Sequence, residues 1–143
     1  MANKDLFLTS YLMLIMHSFA IFIYQPPFII FITYIIGPLV SVWNHGTSSI
    51  IAQFIDRSVM VLGYLIDLSY IYKLKNIYVF IIIHLAIISY FIAKITKITS
   101  FHLLAHFLII ITHIILLYYY YNDFFYKDKN DLKKVQNYQV ILI

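Results

Sequence analysis

The chain contains no cysteine and no glutamate, and only three glycines and three prolines in 143 residues. Without cysteine there can be no disulfide and no thiolate metal site, so any metal must be held by His, Asp or neutral oxygen ligands. Charge is equally scarce: 11% of residues are Asp, Lys or Arg, where soluble domains carry about 25%. No Gly/Ser-rich linker and no internal repeat divides the chain, so the length fits one domain. No basic patch interleaved with aromatics lies on a polar face, which argues against a nucleic-acid partner. The formal net charge of +4 sits instead near apolar boundaries, where it serves membrane topology and contact with anionic headgroups.

What is abundant is apolar. Hydrophobic residues make up 63% of the chain and the mean hydropathy is +0.88. A folded chain this short has too little interior to hide that surface from water. Five apolar runs are long enough to cross the hydrocarbon, which takes about 20 residues each. They are 6–24, 28–45, 51–72, 77–93 and 101–121. The expected fold is therefore all-α, a multi-pass transmembrane bundle over 1–121 followed by a charged C-terminal tail over 122–143. Pro26-Pro27, Gly46-Thr47-Ser48-Ser49 and Lys73-Leu74-Lys75-Asn76 break the runs, and Thr99 or Ser100 is expected to cap the fifth helix. The first run is too long for a signal-peptide core and no small-residue cleavage pattern follows it, so it reads as a retained helix. Five spans place the two ends on opposite sides. Lys4, Arg57, Lys94 and Lys97 fall on the N-terminal side, against six lysines from Lys73 to Lys134 on the other. The positive-inside rule then puts the C-terminus in the cytoplasm. Richness in Ile, Tyr, Phe, Lys and Asn suggests an AT-biased genome, of a protist or a large virus, and so an endomembrane or a viral membrane.

Ionisable residues inside membrane spans are costly and usually face the interior or a cavity. Here five polar groups gather at one membrane face: Ser41 and His45 at the end of the second span, Asp56 early in the third, His102 and His106 opening the fifth. Ser41 and His45 are spaced i, i+4 and share a helix face, as do His102 and His106. Two His one turn apart can reach one zinc ion, and a third His from another helix completes a three-His site with an open position for water, the catalytic form of zinc coordination. Zinc lowers the pKa of its water to about 7. Asp56 is placed to take the proton, and Ser41 to hydrogen-bond a substrate carbonyl or the developing oxyanion.

The order Ser-x-x-x-His, then Asp, then His-x-x-x-His in the last helix resembles the superfamily of membrane-embedded zinc hydrolases that includes alkaline ceramidases and progestin/adipoQ receptors. The gap from His45 to Asp56, and Met60 after the Asp, are most similar to alkaline ceramidases. The resemblance implies that His45, His102 and His106 hold zinc, that Asp56 and Ser41 belong to the active site, and that a lipid amide, or an ester, of sphingolipid-like character is hydrolysed. It covers three short motifs, roughly residues 37–60 and 100–107. That family has seven helices and this chain five; because an even number is missing, the last helix keeps its orientation. The walls of a lipid cavity are then either reduced or supplied by a second copy in a homo-oligomer. The acidic N-terminal calcium site of alkaline ceramidases has no counterpart in MANKDLF.

Four further readings stand beside this one. A single membrane His such as His17 or His84 ordinarily hydrogen-bonds a neighbouring helix. His113 lies on nearly the same face as His102 and His106, so haem held with His17 or His84 across the bundle is an alternative to zinc. Asp67, about 20° from Asp56 around the third helix, should face the same interior and pair with His84 or a Lys. From a different functional class, the chain would be a non-enzymatic structural or assembly protein of a membrane, viral or cellular, with a structural metal or none.

Overall fold

The computed structural model describes residues 4–47 and 49–140, with side chains described through Asp123. The described residues form five α-helices and no strand: α1 (Lys4–Tyr24), α2 (Phe28–Gly46), α3 (Ile50–Leu74), α4 (Ile77–Thr96) and α5 (Thr99–Val140). The breaks fall where the turn chemistry put them. Ser49 caps α3 by accepting from the Ala52 N–H at 3.3 Å, and Asn76 caps α4 by accepting from Tyr78 and Val79 at 3.0 and 3.2 Å. Lys75 and Lys97 end α3 and α4 in the left-handed region, at φ 52° and 58°. The expected cap of α5 is displaced. Thr99 is already its first helical residue, and the Thr96 hydroxyl instead accepts from the Ile98 N–H at 3.3 Å. The helix also runs on past residue 121, so the separate tail expected from there is continuous with α5 as far as Val140; residues 141–143 lie outside the described part.

Four helices, α1, α2, α4 and the first part of α5, are long and apolar enough to cross a membrane. The remaining helix, α3, is interrupted by Asp56, Arg57, Asp67 and Lys73. Its 25 residues still reach about 37 Å at 1.5 Å per residue, more than the roughly 30 Å of hydrocarbon. Both of its aspartates are buried in the bundle, at 5% and 2% exposure. The whole bundle shares this inverted plan. Phe22, Phe28, Phe54, Leu62 and Ile95 stand on the outside, while Ser10, His17, Ser41, Thr112 and His106 are buried. In water such an outer surface would be an aggregation liability. In lipid it is the solvated face, and polar side chains are driven into the interior to find partners.

α1 packs between α2 and α5, α3 against α2, and α4 against α5. Two apolar clusters close one end. Ala20, Ile21, Tyr34 and Leu117 join α1, α2 and α5, and Ile71, Val79, Ile83 and Leu116 join α3, α4 and α5. On the other flank α3 makes few contacts with α4 and α5, leaving a cavity of about 590 Å³ that takes lining residues from all five helices. Gly63 of α3 lies against Thr33 of α2, where an added Cβ would sit 3.7 Å from the Thr33 methyl. Small residues of this kind let membrane helices approach closely.

Candidate metal centre

The end of the bundle opposite the apolar clusters is polar. There α2 finishes while α1, α3 and α5 begin, because short connections make successive helices antiparallel. His45, in the last turn of α2, meets His102 and His106 in the first turns of α5. The three rings lie 5.1, 5.5 and 4.9 Å apart by centroids. One nitrogen of each comes within 4.8 Å of the other two. Zinc at 2.0–2.1 Å from each nitrogen in tetrahedral geometry needs them about 3.3 Å apart, so a small inward movement of rotatable side chains closes the set.

The hydrogen bonds orient these rings. The Thr9 hydroxyl donates to the Asp5 or Leu6 carbonyl at 3.0 or 3.1 Å, which leaves its oxygen to accept. His106 Nδ1 lies 3.0 Å from that oxygen and, in the tautomer with the proton on Nδ1, donates to it. His106 Nε2 is left as a lone pair, the form a metal ligand requires, with the other nitrogen tied to an outer partner. His45 Nε2 is buried and has no hydrogen-bond partner. A buried polar atom without a partner is unusual and calls for an explanation. A metal ion shared with His102 and His106 supplies one. The donor set is three imidazoles and no thiolate, which suits zinc and leaves one position open.

Asp56 and Ser41 flank the triad. Asn44, beside His45, donates to Asp56 Oδ2 at 2.6 Å, which fixes one carboxylate oxygen and leaves the other free. Ser10 spends its proton on the Leu6 carbonyl at 2.8 Å, so Ser41, 3.0 Å away, donates to Ser10. Ser41, Asp56 and His106 all face the shared cavity. Lys94 brings positive charge to the same end, with Nζ 5.2 Å from the Tyr90 ring centroid, and Tyr90 in turn stands edge-on to His102 at 5.4 Å.

The five residues singled out in the sequence thus converge at one end of the bundle. Thr9 and Ser10, which hold His106 and Ser41, were not among them. Their signal was available: two adjacent hydroxyls in an apolar helix, at the depth where the second helix ends. Asn44 was visible only as part of the SVWNH segment. His17 and His84 each bond a neighbouring helix, as expected, and it is the partner of Asp67 that differs. Asp67 pairs with His113 of α5 and Tyr34 of α2, whereas His84 turns to Tyr64 at 3.2 Å. His17 does oppose His113, but in direct contact at 2.5 Å. That leaves no room for a porphyrin between the two rings, so the arrangement does not suit haem.

Replacing Thr9 by Val removes the acceptor for His106 Nδ1 and keeps the side-chain shape. Zinc affinity, measured by competition with a chromogenic chelator, is expected to fall roughly 10- to 100-fold, as for other outer partners of metal-binding histidines. Ser18→Ala, which removes only an exposed bond to the Leu14 carbonyl, should leave affinity unchanged.

Compared with models of protein families, with curated proteins and with solved structures, the chain finds no match.

Proposed function

We propose that this bundle is a membrane-embedded, zinc-dependent hydrolase that cleaves a lipid amide or ester. The observation that carries the reading is the convergence of His45, His102 and His106, with the otherwise partnerless His45 Nε2, beside a cavity that Ser41 and Asp56 line. His45, His102 and His106 would hold the ion. When bound, zinc supplies a Lewis acid that makes water a nucleophile near neutral pH.

The protein's own groups do the rest. The free Asp56 oxygen accepts the proton of the attacking water, and the Asn44 bond keeps the carboxylate aimed. Ser41 turns its O–H from Ser10 to the substrate carbonyl oxygen, a rotation about one side-chain bond, and stabilises the charge that develops there. The cavity takes its lining from Met13, Val59, Leu65, Ile87 and Ile109 among others, which suits a hydrocarbon chain. Sparse packing of α3 against α4 and α5 gives a chain in the bilayer a lateral way in. The earlier resemblance to alkaline ceramidases points to sphingolipid-like amides as the first substrates to try, and the smaller number of helices keeps a homo-oligomer in view.

The reading is tested with full-length, zinc-loaded protein in detergent or nanodiscs, against a panel of long-chain ceramides, other lipid amides and lipid esters. Release of fatty acid that stops with a chelator and returns with zinc is the expected result. Zinc that stays bound while nothing on the panel is cleaved would favour a metal-stapled structural protein. The proposal also orients the chain, with Lys73, Lys75 and the basic C-terminal segment at the cytoplasmic face. With the plasma membrane alone opened by digitonin, a C-terminal tag should already react with antibody; a tag reached only after a stronger detergent has also opened the endomembranes would reverse the orientation.

A further inference from the structure

A second set of titratable groups lies deeper in the bundle and takes no part in the triad. His17 of α1, Tyr34 of α2, Asp67 of α3 and His113 of α5 form one unbroken chain of hydrogen bonds. His17 Nδ1 lies 2.7 Å from the Met13 carbonyl oxygen. His17 Nε2 lies 2.5 Å from His113 Nδ1, and His113 Nε2 lies 2.8 Å from Asp67 Oδ2. Tyr34 donates to Asp67 Oδ1 at 2.7 Å and stacks on the His113 ring, with centroids 3.9 Å apart. His17, Tyr34 and Asp67 are buried to within 2% exposure.

Counting protons shows what this chain requires. A carbonyl can only accept, so His17 Nδ1 carries a proton. One proton must lie between the two histidines and one more between His113 and Asp67. The contacts thus need three protons, not counting the tyrosine's own. Two neutral imidazoles and a carboxylate bring only two. The chain closes only when it has taken up one extra proton, shared between His113 and Asp67, and it is then neutral overall. When that proton leaves, one hydrogen bond is lost and one uncompensated negative charge remains inside the bundle.

The chain is also not sealed off. His17, Asp67 and His113 line the same cavity as Ser41, Asp56 and His106. His113 is two helical turns from His106, about 10 Å along α5. The other titratable and charged groups around it among the described residues are Tyr70, within electrostatic reach of Tyr34, Tyr64, which lines the cavity and is bonded to His84 of α4, and Arg57 of α3 and Tyr90 of α4, which line the same cavity.

We infer that the His17–His113–Asp67–Tyr34 chain is a proton-binding site in the membrane interior, holding one exchangeable proton and trading it with the cavity. Linked carboxylates and imidazoles within membrane spans act as proton relays elsewhere for the same physical reason. This inference does not need the triad to hold metal or the protein to hydrolyse lipid.

The test is nuclear magnetic resonance of the full-length protein in lipid nanodiscs, with ¹⁵N-labelled histidine and ¹³C-labelled aspartate. At low pH the spectrum should show both His113 nitrogens protonated, or Asp67 as the neutral acid, and a coupling across the His17–His113 contact. On raising the pH, one proton should leave per chain, with the His113 ring and the Asp67 carboxyl carbon shifting together. In Asp67→Asn the amide can donate to His113 Nε2 and its carbonyl can accept from Tyr34. That variant should fold with every bond made, keep His113 neutral throughout and lose the step entirely. His84→Gln should keep the step. Fixed protonation of His17, His113 and Asp67 in the parent protein, over the whole range in which it stays folded, would make the chain a permanent structural pin and overturn the inference. A step that survives Asp67→Asn would overturn it too. Repeating the titration on Asp56→Asn protein, which should lack hydrolysis, separates this result from the fate of the proposed enzyme.

Discussion

His106→Ala protein, purified by the same route as the parent, is expected to emerge without zinc where the parent carries about one ion per chain. A structural zinc site is worth roughly 10–16 kcal/mol over four ligands, so one ligand accounts for about 3–4 kcal/mol. That is a loss of roughly 10²- to 10³-fold in affinity, enough for a weak chelator in the wash to strip the ion. His106 is the informative choice because its two nitrogens can have separate duties: Nδ1 is held against the Thr9 hydroxyl, which leaves Nε2 for the ion. His17→Ala is the control. It removes an imidazole buried more deeply still, 1% exposed against 8% for His106, that belongs to the His113–Asp67 chain instead. Metal lost equally from both variants would mean that binding is nonspecific or that the bundle has lost its packing, which circular dichroism of both proteins distinguishes.

The second large effect is expected at Asp56. Asp56→Asn should keep its zinc and lose hydrolysis by roughly 10²- to 10⁴-fold, the usual contribution of a positioned general base. Three imidazoles already supply the protein positions of an open zinc site, so the carboxylate is not needed to hold the ion. The substituted amide can present its carbonyl oxygen to Asn44 Nδ2, which now binds Asp56 Oδ2 at 2.6 Å. Shape and neighbour are thereby kept while the basic oxygen is lost. Full activity in this variant would remove Asp56 from the reaction. Loss of zinc together with activity would make Asp56 a ligand or a support of one.

Much of this architecture could be read from the chain alone, for identifiable reasons. Helix boundaries were legible because the breakers are strong and local: Pro26-Pro27, the Gly46–Ser49 segment, and Lys75-Asn76, which supply a left-handed C-cap and an N-cap. The end of the fifth helix was not legible, because the run of tyrosines from Tyr118 to Tyr121 is followed by polar residues that a helix accepts equally well. His45, Asp56, His102 and His106 could be placed at one end because i, i+4 spacing and alternating helix direction together fix depth and face. The partners of Asp67 could not be found this way. Position around α3 gave its inward direction, but the choice of His113 and Tyr34 over His84 depends on which helices neighbour α3 and at what rotation. That is a tertiary property: α2 packs closely on α3, and the rotations of α4 and α5 bring His113 to Asp67 while His84 meets Tyr64. The hydroxyls of Thr9 and Ser10 escaped for the same reason, since their value depends on α1 lying between α2 and α5.

The central claim is that His45, His102 and His106 together hold one metal ion, and X-ray absorption at the zinc edge of the zinc-loaded protein tests it most directly. Three imidazole nitrogens and one light oxygen donor at about 2.0–2.1 Å are expected, with the imidazole scattering reduced in His45→Ala, the variant that removes the partnerless Nε2. A spectrum of six oxygen donors, or one unchanged by loss of His45, would contradict the account.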